Sequence, residues 1–193
     1  MYLTHSFVAI SQDKLDYLFF YLTEEYIEEQ KYLREKLNPI LERFARDLMD
    51  KAALVKAFDK DIKNANKELA SHINQKFSYD SIIEFNDKKH KPGLLILNSD
   101  IQNFNTKENA WIYISLSDFI DKKGNVSLLP INTFFDMLKD AVLSDKNLFD
   151  EIKRYIKNKK AVSAHNMIEL KPGIFGFSID LKEAFNFLRE MKK

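Results

Sequence analysis

Residues 39–77 read PILERFARDLMDKAALVKAFDKDIKNANKELASHINQKF, and the reading of this stretch decides the fold. Apolar side chains recur at Leu41, Phe44, Leu48, Ala52, Val55, Phe58, Ile62, Ala65, Leu69, Ile73 and Phe77, in steps of three or four. Neither glycine nor a second proline interrupts the run. That spacing is the signature of one face of an amphipathic helix. An unbroken helix of this length would span about 60 Å at 1.5 Å per residue. A small domain is narrower than that, so part of the helix would project or pack on a partner. A break near Asp59-Lys60-Asp61 is the alternative.

Upstream, Leu15, Leu18, Phe19, Leu22, Tyr26, Leu33 and Leu37 also fall at helical spacing, with Ser11 placed as an N-cap. Asn38-Pro39 punctuates, because the residue before proline avoids the α region and proline suits a first helical position. The pattern predicts two helices forming a coiled-coil-like hairpin over about residues 11–77; one helix kinked at Pro39 is the rival. Met1–Ile10 is apolar enough for an edge strand.

Beyond Phe77 the period changes. Leu94–Leu97 and Trp111–Leu116 read as strands, with a start of another over Ser78–Phe85 and a short one at Val126–Leu129. A helix capped by Asn132 or Thr133 follows, carrying Phe135, Leu138, Ala141 and Val142 inward. A second, capped by Ser144, buries Leu148, Phe149, Ile152 and Ile156. Ala161–Leu170 and Ile174–Ile179, joined by Lys171-Pro172-Gly173, read as a β-hairpin before a last helix from Asp180. The predicted class is α+β. A long helical hairpin (1–77, with the edge strand) leads into a small mixed α/β domain (78–193) with a mostly antiparallel sheet.

Composition limits the chemistry. With 45% apolar residues, 16 Phe and 8 Tyr, core material is ample, so disorder throughout is excluded. The absence of cysteine removes disulfides, thiolate metal sites and cysteine nucleophiles. Charges interrupt every apolar run, so no membrane span is expected. The first ten residues have no signal-peptide pattern, and a cytoplasmic protein is expected. The 193 residues carry a net charge of +1, and residues 1–77 (12 basic, 13 acidic) and 78–193 (18 basic, 16 acidic) are both balanced. Overall charge therefore makes no case for nucleic acid.

Specific motifs are sparse. Glycine occurs only at 93, 124, 173 and 176, which cannot build a phosphate-binding loop, so no nucleotide cofactor is expected. No two of His5, His72, His90 and His165 are spaced as a metal pair, and no metal is expected. Glu169-x-Lys171 at a strand end resembles the carboxylate–lysine pairing that holds Mg²⁺ and positions water in nucleases. The same spacing recurs by chance in this lysine-rich chain, for instance at Asp61/Lys63 and Asp87/Lys89. Glu169, Lys171 and His165 are the only catalytic candidates. Lys153, Arg154, Lys157, Lys159 and Lys160 form a basic run that could meet phosphates. Cations at a helix C-terminus also match the dipole.

These features favour a non-enzymatic protein–protein interaction or assembly protein, of the kind found as a bacterial or phage accessory or defence component. Its expected partner is a second copy or another subunit. The interface would be Leu41, Phe44, Leu48, Val55, Phe58, Ile62, Leu69 and Ile73. The alternative is a nucleic-acid-binding protein or metal-dependent nuclease using residues 153–160.

Overall fold

The computed structural model describes residues 3–4, 15–23, 28–48, 50–56, 75–76, 92–98, 104–105, 108–116, 119–120, 126–160 and 177–179. In chain order these give β1 (Leu3–Thr4), β2 (Tyr17–Leu22), α1 (Glu28–Asp47), β3 (Ala52–Val55), β4 (Gly93–Leu97), β5 (Trp111–Ser115), α2 (Leu128–Leu143), α3 (Leu148–Lys160) and β6 (Phe177–Ile179). The α+β class holds. The strands form one sheet in the order β1-β3-β2-β4-β5-β6.

The expected helical hairpin over residues 11–77 is not what the described residues form. Tyr17–Leu22 is a strand, and so is Ala52–Val55, within the stretch read as one continuous helix. Both segments are contiguous apolar runs, YLFFYL and AALV. In each, successive side chains point to opposite faces of the sheet. Phe19, Tyr21, Ala52 and Leu54 join the core beneath the helices. Leu18, Phe20, Leu22, Ala53 and Val55 join a second core on the opposite face. A strand buried on both faces needs apolar residues at every position. Such a run contains the three-and-four spacing of a helix as a subset, which is why the helical reading failed there.

α1 runs through Pro39 without ending, so a single helix containing the proline replaces the expected pair capped at Asn38. Proline removes the bond to the carbonyl four residues earlier, here Glu35. Glu35 and Pro39 are both exposed, so water can serve that carbonyl. α1 ends at Asp47, and β3 follows after a turn in which Lys51 N–H donates to the Leu48 carbonyl (3.3 Å).

The sheet is mixed rather than mostly antiparallel. β3 pairs parallel with β1 and with β2, and β6 pairs parallel with β5. β4 is antiparallel to both β2 and β5. The parallel pair follows from connectivity, because α1 returns the chain to the starting end of β2 before β3 begins. β4 links strands from both sides of residue 77. β4 and β5 match the sequence expectation; of the N-terminal segment only Leu3–Thr4 is described, as the outermost of the described strands, beside β3.

α1, α2 and α3 supply the helical layer. Phe44 of α1 packs edge-on to Phe19 (centroids 5.1 Å) and against Phe135 of α2 (4.9 Å). Phe134 meets Phe119 and, on α3, Tyr155. α2 begins at Leu128, four residues before its expected cap. The Ser127 carbonyl accepts the Ile131 N–H (3.2 Å), and Pro130 falls in the first turn, where its missing N–H is harmless. Only Val126 of the strand expected at 126–129 makes a bridge, to Ile120. Asn147, not Ser144, caps α3: its Oδ1 accepts the N–H groups of Phe149 (3.1 Å) and Asp150 (3.2 Å). No helix among the described residues is long and apolar enough to cross a membrane.

Candidate functional site

Two polar places stand out on this frame. The first is a cleft of about 520 Å³ between the start of β2, the end of β4 and the α2–α3 turn. Leu15, Asp16, Tyr17, Asn98, Val142, Asp145, Lys146 and Asn147 line it. α2 stops there because Asp145 takes a left-handed conformation (φ 55°). Lys146 N–H then reaches the Ala141 carbonyl (3.1 Å) and Asp145 N–H the Val142 carbonyl (3.4 Å), closing a Schellman-type end.

Three polar side chains of this cleft, Tyr17, Asp145 and Asn147, hold the turn itself. The Tyr17 hydroxyl accepts the Leu148 N–H (3.2 Å), and Asn147 Oδ1 is the α3 cap. Lys51, from the α1–β3 turn, donates to the Asp145 carboxylate. That bond holds the Lys51 ammonium above its ordinary value, opposed by desolvation and aided by the charges of Asp145, Asp16 and Asp50. Because the folded value is raised, the pair stabilises the fold fully below pH about 10.5, and this contribution is lost as pH climbs through the raised value. Lys51→Met is expected to lower the urea midpoint at pH 8 and to have a shrinking effect above pH 11. An unchanged difference across that range would remove the pair from the stability balance.

The second place is the carboxyl end of β3. Lys56 follows Val55 directly and is 5% exposed, the one buried charged residue among those described. Its Nζ donates to Asn38 Oδ1 (3.0 Å) and Glu42 Oε1 (3.2 Å), both on α1 on either side of Pro39. Sequence reading passed over it. A lone lysine closing the run AALV is a signal, since the strand's pleat carries it inward with Ala52 and Leu54.

Of the sequence candidates, Glu169, Lys171 and His165 lie outside the described residues, as do the other three histidines. No group of three or more metal-ligating side chains occurs among the described residues. Lys153 and Arg154 lie on α3 as expected. Each faces an acid one turn earlier, Lys153 with Asp150 (3.4 Å) and Arg154 with Glu151 (2.6 Å). Lys157, Lys159 and Lys160 belong to the same helix. Leu41, Phe44 and Leu48 are buried in the core between the sheet and the helices, and Val55 is buried in the core on the opposite face of the sheet. Phe58, Ile62, Leu69 and Ile73 lie outside the described residues.

The large hydrophobic side chains left exposed among the described residues are neighbours: Leu128 (54%) and Leu129 (79%), on the first turn of α2. Arg43 of α1 approaches the same end of α2, donating to Asn132 Oδ1 (2.9 Å) and lying 3.8 Å from Asp136. No protein-family model, curated protein or solved structure matches this chain.

Proposed function

We propose that the protein works by docking to another polypeptide, through Leu128 and Leu129 at the start of α2, rather than by catalysis. The pair of adjacent exposed leucines is the observation that carries this reading. Single exposed apolar residues are ordinary, but two side by side on a helix end are a contiguous patch. α2 is anchored beneath by Ile131, Phe134, Phe135 and Leu138, so the patch is rigid before any partner arrives. A preformed patch loses little entropy on binding.

Self-association is the form tested most directly. Burying a leucine side chain contributes about 1.5–3 kcal/mol, so replacing both with serine removes at least tenfold in affinity. Light scattering after size exclusion, over a range of concentrations, is expected to show mass rising with concentration for the natural chain. The double variant Leu128→Ser, Leu129→Ser is expected to stay monomeric with an unchanged circular dichroism spectrum. A natural chain that remains monomeric throughout, or a double variant that associates equally well, would end the proposal in this form.

A further inference from the structure

We propose that Lys56 anchors a binding site for a small oxyanion at the carboxyl end of β3, with the Glu42 carboxylate occupying it until the ligand arrives. This goes beyond the docking reading and does not depend on it. β3 is the middle of three parallel strands, between β1 and β2. Carboxyl ends of parallel strands beside a crossover helix are where such sheets seat their ligands. The register Phe20↔Val55 sets Lys56 level with Tyr21, one residue short of the end of β2. α1 is about 30 Å long at 1.5 Å per residue, against roughly 13 Å for β3. Because mid-helix residues 38 and 42 meet Lys56, the first half of α1 extends past the strand end and walls that edge.

The chemistry of the pair is unequal. A buried ammonium is costly unless its charge is paired and its three N–H groups are bonded. Asn38 and Glu42 take two of them, and among the described residues nothing takes the third. The lysine side chain is 6% exposed and held in place, whereas the Glu42 side chain is 55% exposed. Glu42 can swing into water as an incoming oxyanion takes over the pairing of Lys56, since a carboxylate that exposed gains little itself from the pair while the buried ammonium always needs one. The exchange offers the anion a fixed, water-poor cation and the N–H group that Glu42 held. Asn38, whose oxygen already meets Lys56, carries an amide NH₂ on the same carbon and adds donors of the kind an oxyanion takes. A carboxylate or phosphate oxygen fits that donor set. A purely structural lysine, fastening α1 across Pro39, would give no response to anions.

The test uses the full chain, titrated calorimetrically with inorganic phosphate and separately with acetate, with chloride at matched ionic strength as background. Saturable binding to phosphate assigns a phosphate-bearing ligand, and binding to acetate alone assigns a carboxylate. Glu42→Gln removes the competing charge and is expected to tighten binding about tenfold, as loss of one like-charge contact near the surface does. Lys56→Met is expected to abolish binding. Because Lys56→Met can also unfold the chain, Glu42→Gln decides independently. If natural and Glu42→Gln chains both respond to phosphate and acetate no more than to chloride, the proposal is overturned. Binding that survives in folded Lys56→Met overturns it equally.

Discussion

Replacing Phe44 by alanine is expected to lower the stability of the protein by about 3–5 kcal/mol, as for other fully buried phenylalanines. Phe44 is 2% exposed and stands where three elements meet. Its ring packs edge-on against Phe19 of β2 (interplanar angle 89°) and tilted against Phe135 of α2 (59°). Alanine would leave a cavity that neither the sheet nor α2 can close, because both are pinned by their own neighbours. Domains are stable by only about 5–15 kcal/mol, so the loss is a large part of the whole. Urea denaturation should show a much lower midpoint with the same slope, since the surface exposed on unfolding scarcely changes. Glu35→Ala, on the exposed side of the same helix, is the control and should move the midpoint by less than about 0.5 kcal/mol. A cost below about 1 kcal/mol for Phe44→Ala would mean that α1 does not lie on this sheet.

Gly93→Ala is expected to be the second severe change, and for the opposite reason. Gly93 opens β4, opposite Leu22 on β2 and Ser115 on β5. Any Cβ at this position would fall within the phenol ring of Tyr113, against its Oη, Cζ and Cε2 atoms. Tyr113 is fully buried among Leu95, Leu97 and Trp111, so the ring has nowhere to move. The glycine is required for space. Overpacking of this kind costs about 1–3 kcal/mol, and more where the neighbour is an enclosed ring. A double-mutant cycle separates this cause from a general weakness of β4. Tyr113→Ala alone is expected to cost about 3–5 kcal/mol, and adding Gly93→Ala to it should cost almost nothing further. If the two losses simply add, the ring is not what excludes the methyl group.

Parts of the fold were legible because local pattern and tertiary role agree. Gly93–Leu97 and Trp111–Ser115 are rich in Leu, Ile and aromatic residues and flanked by turn-forming residues, and both are strands. In α2 the spacing of Phe135, Leu138, Ala141 and Val142 marked the inward face correctly. The α2 start was misplaced because Leu128 and Leu129 look apolar enough for a strand. What makes them helical is the Ser127 carbonyl and a proline suited to a first turn. The same error hid the leucine patch, since a strand reading would have buried it. Lys56 was hidden by the continuous-helix reading, in which it would have been a solvent-facing lysine.

The sequence by itself determined that no thiol chemistry is available, that the core is rich in phenylalanine, and that helices and strands are both present. It also placed β4, β5 and the buried face of α2. Only the tertiary structure decided that Tyr17–Leu22 and Ala52–Val55 are strands and that Pro39 sits inside a helix. It alone brought Lys56 to Asn38 and Glu42. The physical reason is that an uninterrupted apolar run is compatible with either backbone period. Which one it adopts depends on where its N–H and C=O groups find partners. For Tyr17–Leu22 those partners are β3 and β4, the latter more than seventy residues farther along the chain.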